Sequence, residues 1–191
     1  MNAGSPFKDN PRNGPAEPAF DAEMGNTNTP ELSILVPVHN QELTILGFYM
    51  ECVAILDHRE LDFELILVDA HSEDETRSLI NGLCGGDPRL RMVALSAPTG
   101  RRKALLRGLS CARGEWICFF SMEEDCADIP DSFQKARACL EKGGAAPGPS
   151  LSQLHRLLLD IPGFLPFGKK RKPVVFPRSS LSGIWSLLPA V

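Results

Sequence analysis

Leu-Ser-Ile-Leu-Val-Pro-Val-His-Asn, residues 32–40, and Phe-Glu-Leu-Ile-Leu-Val-Asp, residues 63–69, are two short apolar runs, and each ends in polar residues. Some 50 residues later Trp-Ile-Cys-Phe-Phe (116–120) empties into Glu123, Glu124 and Asp125. Runs this continuous suit strands covered on both faces, the situation in a parallel sheet. Ligand crevices of open parallel sheets lie beyond the carboxyl ends of their strands, where these polar residues fall.

Working outward from these runs, a helix is predicted over 41–57, with Ile45, Phe48, Tyr49, Cys52, Val53 and Leu56 at helical spacing. Strands are predicted over 32–38, 62–69, 90–96 and 115–121. Ser72-Glu73-Asp74-Glu75 has the form of a capping box and predicts a helix that stops at Gly85-Gly86-Asp87-Pro88. Gly100 opens a further helix that carries Ala104, Leu105, Leu109 and Ala112 and ends near Gly114, and another covers 130–142. Alternation of this kind implies right-handed crossovers and a mainly parallel α/β sheet.

The chain divides into three parts. Residues 1–30, rich in Pro, Gly, Asn and Ala without periodicity, read as a disordered lead-in. Residues 31–142 form the domain. Residues 143–191 hold a Gly/Pro linker, a short amphipathic helix at 151–159 and a basic, proline-punctuated tail in which no strand is predicted.

The 191 residues carry a net charge of −4, which gives no general attraction to nucleic acid. The charge is uneven. Residues 145–191 set Arg156, Lys169, Lys170, Arg171, Lys172 and Arg178 against Asp160 alone, a net +5, and leave −9 on residues 1–144. The six cysteines form no Cys-x-x-Cys pair and read as free thiols of a reducing compartment. No secretory pattern opens the chain and no apolar run is long enough to span a bilayer, so the expected location is cytoplasmic, with a peripheral membrane contact through the tail.

Four motifs follow one another along 31–142. The first is Ser33 to Glu42, a strand that turns through Pro37, His39, Asn40 and Gln41. The second is Val68-Asp69-Ala70-His71-Ser72-Glu73-Asp74, the third Gly100-Arg101-Arg102-Lys103-Ala104 continuing to Gly108 and Gly114, and the fourth Met122-Glu123-Glu124-Asp125 with Asp128-Ile129-Pro130-Asp131. In this order they resemble the nucleotide-binding half of a family-2 glycosyltransferase of the GT-A (Rossmann-like) type, nearest to the polyprenol-phosphate sugar transferases.

The resemblance implies a sheet ordered 3-2-1-4 and a donor that is a nucleotide-diphospho-sugar. It assigns nucleotide contacts to Pro37, His39, Gln41, Asp69, Arg101 and Glu123. It assigns a divalent metal, Mg²⁺ or Mn²⁺, to Glu123 and Asp125, hard oxygen ligands of the kind such ions take. The sequence departs from the family pattern in four places: Gln41 stands for a Glu, Ala70 for a second Asp, His71 for a Gly that implies a changed turn, and Glu123 for an Asp. Each motif also has a plainer reading: strand ends, helix caps at Ser72 and Asp74, a solvated basic first turn at Arg101 and Arg102, and an acidic surface turn. No acceptor-binding half is recognisable after 142, so the C-terminal half is read as truncated. The implied acceptor is a lipid phosphate, and the basic cluster 169–172 would face it or an anionic membrane, or else remain solvated. The alternative is an inactive relative that binds nucleotide or a partner subunit without turnover, or a gene fragment.

Overall fold

The computed structural model describes residues 29–98, 101–143 and 173–181, with backbone alone at 101 and 102. The central strand β1, Leu32–Val38, forms over a largely apolar run, and almost every residue of it is buried. Helix α1 (Ile45–His58), strand β2 (Phe63–Asp69), helix α2 (Thr76–Gly86), strand β3 (Leu90–Ala94), helix α3 (Arg101–Cys111), strand β4 (Trp116–Phe119) and helix α4 (Asp128–Glu141) follow. Strand β5 (Val174–Pro177) and a single 3-10 turn at Arg178–Leu181 complete the described chain.

The sheet runs β3-β2-β1-β4-β5. Strands β1, β2, β3 and β4 are mutually parallel, in the expected 3-2-1-4 order. Strand β5 pairs antiparallel to β4, with Val174 opposite Phe119 and Pro177 opposite Trp116. This fifth strand corrects the reading of the tail. It is four residues long and bounded by Pro173 and Pro177, a pattern that marks an edge strand, where a missing N–H is tolerated.

Alternation along the strands separates two cores. On one face Leu32, Ile34, Val36, Phe63, Leu65 and Leu67 meet Phe48, Cys52 and Leu56 of α1, Ile80 of α2, and Ile129 and Phe133 of α4. On the other, Leu35, Ile66, Val68, Ile117 and Phe119 meet Leu105 and Leu109 of α3, with Phe176 and Leu181 beside them. Among the described helices α3 alone covers the second face, because the chain reverses its direction across the sheet between β3 and β4, and right-handed crossovers then place the helix opposite. Gly108 and Gly114 allow that layer to sit close. A Cβ at Gly108 would come 2.7 Å from Val68 Cγ2, and one at Gly114 would come 2.6 Å from the backbone nitrogen of Ser33.

Several boundaries differ from expectation. Strands β3 and β4 stop at Ala94 and Phe119, α1 begins at Ile45 and α2 begins at Thr76, not at Ser72. The capping box does not form. Instead Asp74 Oδ1 accepts the Thr76 N–H at 3.0 Å, and Glu42 Oε2 accepts the Glu75 N–H at 3.0 Å from another loop. The cysteines are free thiols, with Cys52, Cys118 and Cys126 buried and Cys139 exposed. The segments at 1–28, 151–159 and 169–172 lie outside the described residues.

Candidate functional site

The crevice follows from where two neighbouring strands part. β1 and β4 pair from Leu32 to Leu35, and the last bond of the ladder runs from the Phe120 N–H to the Leu35 carbonyl. In a parallel strand, odd and even residues present their backbone groups to opposite neighbours. Leu35 bonds toward β4, while the Val38 carbonyl accepts the Ala70 N–H on the β2 side. Pro37 therefore turns its missing N–H toward β4, beyond the point where the two strands have separated. A proline is tolerated in this central strand because no ladder bond is required of it there. The strand order also reverses at this point, so the split is the switch-point crevice of the sheet. Residues 39–42 flank it from β1 and residues 121–125 from β4.

The β1–α1 loop is laced to the β2–α2 loop. The Asn40 N–H donates to Ser72 Oγ at 3.0 Å, and Asn40 Oδ1 accepts the Glu73 N–H at 2.9 Å. The Gln41 N–H donates to Thr76 Oγ1 at 2.7 Å and the Glu42 N–H to Asp74 Oδ2 at 3.1 Å. The Gln41 side-chain carbonyl accepts the Thr44 hydroxyl at 2.6 Å. His39 is exposed above this floor, and Pro37 and Gln41 are half-buried. Asp74 is held below the usual carboxylate range. Desolvation opposes this, but the Thr76 hydroxyl and the amides of Thr76 and Glu42 together outweigh it.

Asp69 ends β2 with no exposed surface. Its Oδ1 accepts the Ser72 N–H at 2.9 Å. Its Oδ2 accepts from Arg77, Nε at 2.8 Å and Nη2 at 2.7 Å. Arg77 Nη2 also reaches the Leu95 carbonyl at 3.4 Å. The carboxylate thus fixes both the turn and the guanidinium. Sequence reasoning passed over Arg77. The available signal was that an acid at the end of a buried strand needs a cation or several N–H donors. Beside Asp69, His71 keeps a left-handed backbone, with φ of 69°.

At the end of β4, Glu124 Oε2 accepts the Ser121 N–H at 3.3 Å, and Asp125 Oδ1 accepts the Ala127 N–H at 3.0 Å. Glu123 and Asp125 are exposed. Among the described residues no three His, Cys, Asp or Glu side chains stand together as a metal cage. Two exposed carboxylates with one residue between them nevertheless fit Mg²⁺ or Mn²⁺, which take one or two protein carboxylates and complete their shell with water and phosphate oxygen. Arg101 is the first residue of α3, and its side chain lies outside the described residues.

The opposite end of the sheet carries a second polar cluster that sequence reasoning did not find. Glu64, 1% exposed, accepts the Ser33 hydroxyl at 2.6 Å, the Arg113 N–H at 2.6 Å and Arg91 Nη1 at 2.9 Å. Ser33 Oγ in turn accepts the Gly114 N–H at 2.7 Å. This cluster ties the start of β1 and β2 to the end of α3, far from the crevice, and it organises the fold.

The family model described as glycosyl transferase family 2 matches residues 33–147. A prophage bactoprenol glucosyl transferase homolog of Escherichia coli is 31% identical over 87 residues, which are 46% of this chain and 28% of that protein. An undecaprenyl-phosphate 4-deoxy-4-formamido-L-arabinose transferase of Aeromonas hydrophila is 25% identical over 113 residues, 59% of this chain and 34% of that protein. The chain thus spans about a third of the length of such relatives. Among solved structures, the mannosyltransferase PcManGT of Pyrobaculum calidifontis, in complex with GDP-Man and Mn²⁺, superposes with a TM-score of 0.56 at 19% identity, over 83% of this chain and 47% of that one.

Proposed function

The chain belongs to glycosyl transferase family 2, and from that premise we propose that its crevice binds a nucleotide-diphospho-sugar and that the sugar passes to a phosphate-bearing lipid acceptor. The observation that carries this reading is the split of β1 from β4 beyond Leu35, with exposed Glu123 and Asp125 on one side and a hydrogen-bonded loop floor on the other. The nucleoside lies over Pro37, His39 and Gln41. Asp69 acts from below, by fixing the Ser72 turn and Arg77. Arg101, the first residue of α3, is assigned to the diphosphate, since a helix start and a cation favour an anion. Glu123 and Asp125 hold the divalent ion, which when bound neutralises charge on the departing nucleoside diphosphate. An acceptor that is already an anion needs little help from a base, and the names of the bactoprenol and undecaprenyl-phosphate relatives support that class.

A second reading, nucleotide binding without turnover, is favoured by one observation. Both oxygens of Asp69 are committed inside the protein, to Ser72 and Arg77.

Calorimetry with UDP- and GDP-sugars, with and without Mn²⁺, tests both readings. Metal-dependent binding followed by sugar transfer to a polyprenol phosphate supports the first, and metal-dependent binding without transfer supports the second. Asp125→Asn keeps an oxygen for the Ala127 N–H but removes the charge. Its expected effect is a loss of Mn²⁺-dependent affinity of at least tenfold, about 1.4 kcal/mol, at unchanged melting temperature. Undiminished Mn²⁺-dependent binding by this variant would make the acidic turn an ordinary solvated surface.

A further inference from the structure

Two irregularities fall on one residue. His71 lies at the carboxyl end of the sheet, two residues past Asp69, with φ of 69°. Side chains bearing a Cβ avoid this backbone, and glycine or asparagine adopts it far more readily. Its Nδ1 is also the only buried side-chain nitrogen or oxygen among the described residues without a hydrogen-bond partner. Buried polar atoms are nearly always paired, and an exception calls for a specific cause. The turn itself does not supply one. The amides on its far side are already bonded, Ser72 to Asp69 and Glu73 to Asn40. Strain and an unpaired nitrogen on the same residue, at the rim of a binding crevice, point to a group that is satisfied when ligand arrives.

We infer that His71 is a specificity-determining residue for the nucleobase: its Nδ1, unpaired in the free protein, hydrogen-bonds the ring edge of the bound nucleoside diphosphate when the half-buried imidazole turns toward the crevice. This inference rests on the nucleotide reading above and deepens it. The placement follows from the sheet. In the order β2-β1-β4, the end of β2 lies two strand spacings from β4, about 10 Å. A diphosphate at the Glu123–Asp125 turn sends the nucleoside back across β1 toward β2, a distance comparable with its own length. Ring edges of uracil and guanine offer both N–H and C=O groups, and a neutral imidazole nitrogen serves as donor or acceptor according to tautomer. A phosphate is the poorer partner here, because Glu42, Glu73 and Asp74 surround the turn with negative charge.

The test compares His71→Gly and His71→Asn with the parent, by calorimetry with UDP and GDP in Mn²⁺ and by thermal unfolding. Glycine relieves the backbone and removes the imidazole, so this variant melts higher yet binds the preferred nucleotide about tenfold more weakly, the loss of roughly one hydrogen bond. Asparagine accepts the same backbone and sets an amide where Nδ1 stands, so its affinity stays within about threefold of the parent. In the parent, the ¹⁵N shift of His71 Nδ1 moves as nucleotide is added. A glycine variant that binds as tightly as the parent overturns the role of His71 and leaves the nucleotide reading standing. A parent that binds nucleotide with an unchanged Nδ1 shift does the same. A parent that binds neither nucleotide overturns both.

Discussion

Glu64 shows how one side chain can hold three elements together. Burial raises the pKa of its carboxyl, but the Ser33 hydroxyl, the Arg113 amide and the Arg91 guanidinium outweigh burial and bring it below its ordinary value of 4.5. A carboxyl depressed in the folded state stabilises the protein fully above its unfolded pKa, and that contribution disappears as pH falls through the folded value. Glu64→Gln is therefore expected to unfold about 2–3 kcal/mol more easily than the parent at pH 7. The difference should start to shrink as pH falls below the ordinary carboxylate value and close only below the depressed folded value, where the parent carboxyl is protonated too. Urea titrations of both proteins between pH 3 and 7 measure it, and a gap independent of pH would assign the loss to packing. Neither Glu64 nor the Asp69–Arg77 pair was legible in sequence beyond the fact that each acid sits in an apolar run. Which arginine answers an acid depends on register: Leu65 stands opposite Leu90 and Ile66 opposite Arg91, and only this pairing brings Arg91 beside Glu64. The acidic turn and the Pro37–Gln41 segment were legible, because they lie where apolar runs end, and strand ends are visible without tertiary information.

At the scale of elements, the glycines separate packing from helix propensity. Gly108 and Gly82 are both helical, yet a Cβ at Gly108 would come 2.7 Å from Val68 and 2.8 Å from Leu35, while Gly82 has nothing within 4 Å. Gly82→Ala is expected to stabilise the protein by about 0.5–1 kcal/mol, since alanine loses less backbone freedom in a helix. Gly108→Ala is expected to destabilise it by about 1–3 kcal/mol, because α3 must lift from β1 and β2 to admit a methyl group. Chemical denaturation of the pair measures both, and equal shifts of one sign would show that α3 does not pack as closely as described. The periodic elements were legible because their burial pattern is written in local sequence: α1 shows its apolar face in its own spacing, and β1 and β2 show theirs as largely apolar runs. Helix starts were less so. The first turn of α2 takes its acceptors from Asp74 and from Glu42, which is 33 residues before Glu75, so Ser72-x-x-Glu75 carried a capping signal that the neighbouring loop pre-empted.

At the scale of the whole molecule, the decisive element is the one that sequence reading did not see. Val-Val-Phe-Pro offers three residues between prolines, with no alternation or length to mark it as a strand, and its pairing partner lies over 50 residues away. Only the exposed edge of β4 gives it a place. Once there, Phe176 is fully buried and packs against Phe119, the rings tilted at 56° with 5.3 Å between their centroids, and Leu181 closes the same core. The Arg178 N–H donates to the Glu115 carbonyl at 2.8 Å, fixing the far end of the strand. Residues 174–181 thus cover hydrocarbon that α3 alone leaves bare on β4, and they are expected to unfold in one cooperative unit with β1–β4. Phe176→Ala is expected to cost about 3–5 kcal/mol, the range for removing a buried phenyl ring, as a single transition shared by fluorescence at Trp116 and far-ultraviolet circular dichroism. A docked but dispensable tail predicts instead a cost below about 1 kcal/mol, as surface substitutions show, or two separate transitions. The paired result matters for the site as well, because Val174 stands opposite Phe119, directly below the turn that carries Glu123 and Asp125. A protein that has lost β5 should bind Mn²⁺ and nucleotide sugar more weakly, although the strand itself contributes none of the proposed ligands.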